Sequence, residues 1–165
     1  MMEALQVTDQ HRWLHKFLGD WQYEATCPGG PDGGEMSFKG TEHVRMIGDA
    51  WIHGVGKTEV GGEEHEMLIT VGYDTRKNKY VGSWTGSMMT HLFVYEGWVE
   101  EDGRTLVLES TGPSMMDPTK DCTYRDITEF KTDDHRAFRS EMLGDDGKWT
   151  QIMSFDMYRV GTKNS

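Results

Sequence analysis

The sequence predicts an all-β protein: one antiparallel up-and-down barrel of about ten strands, with a short N-terminal helix capping one end. Three observations carry this reading. From Trp21 onward apolar and polar side chains alternate with the period of two that a strand imposes. Clusters of Gly, Asp and Asn interrupt that alternation at short intervals. Helical spacing occurs in one stretch, about residues 9–18. Strands joined by short turns, without helical crossovers, run antiparallel to their neighbours. A sheet of ten removes both edges by closing on itself, and a barrel of that size encloses a hollow.

Each element has its own signal. In the helix, Trp13, Leu14, Phe17 and Leu18 share a face, Asp9 is the expected N-cap and Gly19 the left-handed C-cap. Trp21 is then expected to enter the core at the closed end. Strands are predicted over 20–26, 36–41, 50–60, 67–73, 79–85, 91–100, 104–111, 122–131, 136–143 and 149–159. The hairpin signal Glu101-Asp102-Gly103 makes the strands on either side of it neighbours. Two stretches read as longer loops: the Pro- and Gly-rich run 28–34, expected to be a mobile rim, and 112–118.

Composition limits the function classes. At 165 residues the chain is expected to be one domain, 1–165, with the barrel over about 20–159. Seventeen Lys and Arg against 28 Asp and Glu give a net charge of -11, which repels phosphate backbones, so neither nucleic acid nor an anionic membrane is the expected partner. No stretch matches a transmembrane helix or a signal peptide, and a cytoplasmic location is the expectation. Cys27 and Cys122 are then read as free thiols rather than a disulfide. The expected partner is a small hydrophobic molecule, with a homodimer as the other association left open.

Several motifs stand along the chain: His11-x-Trp13-Leu14, Gly19-Asp20-Trp21, Gly72-Tyr73-Asp74, Lys79-Tyr80-Val81-Gly82-Ser83-Trp84, Tyr95-Glu96-Gly97, Gly112-Pro113, Tyr124-Arg125-Asp126 and Phe138-x-Ser140-Glu141-Met142. Together they resemble the bacterial domain of unknown function 1579 family. Gly19-Asp20-Trp21 is also similar to the Gly-x-Trp signature of the calycins, the lipocalins and fatty-acid-binding proteins. The resemblance implies a calycin-like barrel and no assigned activity, cofactor or catalytic residue.

Candidate site residues follow from alternation. His53, in step with Trp51 and Val55, is expected to face inward as a ligand donor, a general base or a haem ligand, against the plainer reading of a core histidine bonded to a polar neighbour. His91 is a weaker version of the same case. Glu96 shares a face with Leu92, Val94 and Trp98, and Arg125 shares one with Ile127; facing inward they would pair, or Arg125 would hold a ligand carboxylate as calycin carriers of fatty acids do by resemblance. Either residue on the solvated outer face is the alternative. Tyr73, Trp84, Trp51 and Phe155 are read as rings that stack on a flat ligand or fill the core. Met88, Met142 and Met153 are read as adaptable lining. His11 and His15 stand four apart, but without a third ligand they are read as ordinary helix histidines, and no metal site is expected. The expected function is a barrel that binds a hydrophobic or aromatic molecule in its lumen. The alternatives are an enzyme using His53 or Glu96 for acid/base isomerisation or cyclisation, and a haem-binding barrel.

Overall fold

The computed structural model describes residues 4–28 and 35–161. The predicted rim loop, apart from Pro28, and the side chain of Cys27 lie outside the described residues. Helix α1 (Asp9–Trp13) runs directly into a 3-10 turn (Leu14–Phe17). Ten strands follow: β1 (Gly19–Pro28), β2 (Glu35–Ile47), β3 (Trp51–Val60), β4 (Glu63–Asp74), β5 (Lys79–Gly86), β6 (Phe93–Val99), β7 (Thr105–Pro113), β8 (Asp121–Thr132), β9 (His135–Leu143) and β10 (Trp149–Arg159). They form a closed barrel in which consecutive strands pair antiparallel and β10 returns to β1. Both the strand count and the closure agree with the sequence reading. The largest boundary differences are in β2 and β4, which extend through residues that the alternation left in turns.

The helix begins at Asp9, within the predicted stretch, but Thr8 rather than Asp9 takes the extended N-cap conformation. The Thr8 N–H donates to Nδ1 of His11 at 2.9 Å, which satisfies a donor that the first turn would otherwise leave open. The opposite nitrogen of His11, Nε2, bonds the Tyr73 carbonyl at 3.0 Å and so ties the helix to β4. Leu14 and Trp21 are fully buried beneath it. Further bonds fasten this plug: Trp21 Nε1 to the Phe17 carbonyl (2.8 Å), Trp13 Nε1 to the Gly103 carbonyl (2.7 Å) and Tyr80 Oη to the Gln10 carbonyl (3.0 Å). Phe130 meets Trp13, Phe17 and Trp21 edge-on at ring distances of 5.8, 5.0 and 6.3 Å. The C-cap is Leu18 rather than the predicted Gly19; at Gly19, the next residue, φ is +114°, a backbone conformation that favours glycine.

The seam between first and last strand is short. β1 and β10 pair only at Trp21↔Arg159, Gln22↔Tyr158 and Tyr23↔Met157, although β1 stays paired with β2 as far as Pro28 and β10 with β9 as far as Trp149. Past Tyr23 the two strands therefore part. A groove of about 450 Å³ crosses the outer face here, where Glu24, Glu129, Lys131, Arg139 and Asp156 line it together with Phe138 and Phe155.

Candidate functional site: the open half of the lumen

Register and burial fix which side chains point inward. On β3 these are Ile52, Gly54, Gly56 and Thr58, paired with Val71, Ile69, Met67 and His65 of β4. On β5 and β6 they are Tyr80, Trp84, Phe93 and Tyr95; on β8 Tyr124, Asp126, Thr128 and Phe130; on β9 Arg136, Phe138, Ser140 and Met142. Around the helix plug the interior is sealed: Val44, Ile52, Val71, Tyr80, Leu106 and Met157 are all buried. Toward the opposite end Tyr23, Met67, Ile69, Trp84, Phe93, Phe138 and Phe155 face inward and remain only half-buried. Inward-facing rings that still meet solvent distinguish this end from the closed floor, while Phe38, Tyr124 and Met142 are buried among them. The rings form two groups: Trp84 with Phe93 at 5.9 Å, and Phe155 stacked on Tyr23 at 4.5 Å and beside Phe138 at 4.9 Å.

Two polar clusters interrupt the apolar wall. Asp126 accepts hydrogen bonds from Tyr95 Oη (2.5 Å) and Ser140 Oγ (2.7 Å), so both its oxygens are engaged. Burial, acting against those two bonds, holds its carboxyl above the ordinary Asp value. Burial first, then the neighbouring Asp126 charge, pushes the Tyr95 hydroxyl well up. The second cluster lies at the floor, where Arg136 Nη2 donates to Glu42 Oε1 at 2.5 Å across the barrel and the guanidinium lies over Trp21 and Phe17 at 4.6 and 5.1 Å. Tyr23 stands near this pair and its hydroxyl is raised, first by burial and also by the Glu42 charge. Neither cluster was identified as a site from the sequence.

Of the residues predicted to line the lumen, Tyr73, Trp84, Met142 and Met153 face inward. Tyr73 belongs to the floor, packed on His11 and Tyr80. Trp84 stands in the open half, Met142 is buried in the wall beside Tyr124, and Met153 lies opposite Ser140 just past a bulge while keeping 42% exposure. Met88 and His91 sit at the open rim between β5 and β6. Met88 lies over Gly86, and His91 bonds the Thr111 carbonyl at 3.0 Å with its ring over Gly112.

The other four are corrected. Trp51 and His53 point outward, Trp51 being 40% exposed and His53 bonded to Thr70 Oγ1 across the outer surface at 2.9 Å. The parity was legible: Lys57 and Glu59 share their face of β3, and two charges there require solvent. Glu96 is outside as well, bound by Lys77 at 3.1 Å and Lys79 at 3.2 Å, which hold its carboxyl below the ordinary range. Arg125 pairs with Glu109 at 3.2 Å and lies between the rings of Trp98 and Trp149 on the outer face. Long amphipathic side chains cover apolar neighbours there, which is why Ile127 is buried on a face that also carries Arg125, Glu129 and Lys131. His11 is buried with both ring nitrogens engaged and His15 is exposed; among the described residues no three His, Cys, Asp or Glu side chains converge as metal ligands would.

The family model for a protein of unknown function, DUF1579, matches residues 6–159. This chain belongs to the DUF1579 family. Among solved structures the DUF1579 barrel is similar to Rv2717c from M. tuberculosis, with 13% identity, a TM-score of 0.62, and coverage of 93% of this chain and 99% of that one. It is also similar to the S-type phycobiliprotein lyase CPES from Guillardia theta, again at 13% identity, with a TM-score of 0.55 over 92% of this chain and 93% of the other. At that identity the likeness is one of fold. No curated protein matches the sequence.

Proposed function

We propose that the DUF1579 barrel is a binding protein for a small hydrophobic or aromatic molecule, which it holds in the open half of the lumen. One observation carries the reading: Trp84, Phe93, Phe138 and Phe155 point inward and stay half-buried above a floor that the helix seals. Rings lining a concave space can take up an apolar ligand, and the few polar points in the wall can orient it. Entry in this reading is at the end away from the helix, which no helix covers among the described residues. The solved structure of a phycobiliprotein lyase on the same fold is in keeping with such a hollow. The reading retains the cytoplasmic setting, and a net charge of -11 supports a partner other than nucleic acid. Among the described residues no helix is long and apolar enough to cross a membrane.

Titration with the neutral dye N-phenyl-1-naphthylamine tests it. Saturable binding is expected, with tryptophan quenching that is largely lost in Trp84→Phe; no saturable signal from this dye would overturn the reading. Acid/base catalysis by His53 or Glu96 and haem ligation by His53 are not favoured, since both residues lie outside the barrel. His91, the other haem candidate, has its Nε2 engaged at the rim.

A further inference from the structure

Resting on lumen binding, we infer that the hollow selects ligands that are neutral or cationic and carry a hydrogen-bond donor, an aromatic ammonium or amine being the type, and that it disfavours carboxylates. Among the described residues the charged groups that face inward are Glu42, Asp126, Arg136 and Arg159, with Glu63 and the titratable His65, 4.0 Å apart, at the rim. Asp126 is buried with both oxygens engaged. Arg159 lies beneath Trp21, bonded to the Leu18, Lys16 and Asp133 carbonyls and to Asp134. Arg136 is sealed: its side chain is 5% exposed, its guanidinium lies on two rings, and its Nε is buried without a partner. Arg136 is enclosed, and the 24% exposure of the Arg159 side chain lies at the helix end, where Asp134 and three backbone carbonyls already hold its guanidinium.

Glu42 is different. Its side chain keeps 20% exposure, and Arg136 occupies Oε1 alone. Its Oε2 lies over Gly54, where a Cβ would stand 3.4 Å away. The Tyr23 ring, Ile69 and Met67 occupy the inner-face space that Gly40, Gly54 and Gly56 leave, and with Thr58 they surround this carboxylate. A ligand N–H or ammonium would fill the remaining acceptor with a charge-assisted bond. A ligand carboxylate would meet a negative charge whose counter-ion is already taken, in surroundings that screen it less than water does. The arginine that the fatty-acid-carrier analogy would recruit, Arg125, lies on the outside.

The experiment compares 2-naphthylmethylammonium with 2-naphthoate, equal in ring system and opposite in charge, as competitors of bound N-phenyl-1-naphthylamine. The wild-type protein is expected to prefer the ammonium by about tenfold or more, and Glu42→Gln to reduce that ratio by about tenfold. This substitution changes a net charge of -11 by one, so a shift of that size reports the local carboxylate. The double variant E42Q/R136Q removes both charges together and avoids an uncompensated buried arginine; it is expected to bring the ratio near one, and it serves if the single variant does not fold. Naphthoate binding as well as the ammonium in the wild type, or a ratio unmoved by both variants, would overturn the inference. If the neutral dye itself does not bind, lumen binding fails first and the inference falls with it.

Discussion

Asp126 carries its pH dependence in its surroundings. Its pKa is higher in the folded protein than in the unfolded chain because burial outweighs the two hydroxyl bonds. As pH rises from below about 3.9, the ordinary Asp value, through the raised one, the unfolded chain releases this proton first, and the residue's contribution to stability falls. Asp126→Asn keeps an acceptor for Ser140 and offers a donor to Tyr95, but lacks that loss. The melting temperature of D126N minus that of the wild type is therefore expected to grow with pH across this window and then level off. A difference that is flat or shrinks, in thermal unfolding from pH 3 to 8, would contradict the assignment. The exposed carboxylates of Asp74, Asp102 and Asp117 shift the other way, each held down by hydrogen bonds, and they cancel in the difference. For His53 and Glu96 the expectation is plain: His53→Ala and Glu96→Gln leave the affinity for N-phenyl-1-naphthylamine unchanged, since both residues face solvent on the outer surface. A several-fold loss in either would place it back in the site.

At the scale of elements, the helix is the stopper. Leu14 is fully buried between the helix and the barrel floor, so Leu14→Ala is expected to cost about 2–5 kcal/mol in denaturant unfolding, where Met88→Ala at the rim costs within about 0.5 kcal/mol. Equal losses would deny the helix that role. Period and turn chemistry made the element order legible in the sequence, because hairpin turns such as Asp102-Gly103 fix strand pairing locally. The face of each strand was harder to read. On β6 the outer face carries Val94 at 61% exposure and Trp98 at 38%, while Gly97 faces inward, so hydrophobicity pointed the wrong way. Gly97 is small of necessity, because a Cβ there would stand 1.8 Å from the Val107 carbonyl oxygen. On β3, Gly54 and Gly56 likewise concealed the inner face, which makes room for side chains arriving from β2 and β4. The Glu42–Arg136 pair joins residues 94 positions apart, and no local pattern announces a contact made across a closed barrel.

Among the described residues two places bear on where an apolar dye settles. One is the open half of the lumen. The other is an uncharged stretch of the outer surface across β3, β4, β5 and β6, where Trp51, His53 and Val55, Leu68 and Thr70, Ser83 and Thr85, and Val94 face solvent without a formal charge among them. In a chain with 27% charged residues such a surface is a real competitor for any oily dye. Fluorescence reports that a dye has bound, and position decides what the binding means. The most direct measurement is therefore a crystal structure of the protein with N-phenyl-1-naphthylamine bound. Density for the naphthyl ring inside the barrel, among Trp84, Phe93, Phe138 and Phe155 and above the Trp21 floor, is the predicted result; density confined to the outer surface beside Trp51 and Leu68, with the lumen filled by its own side chains, would contradict it.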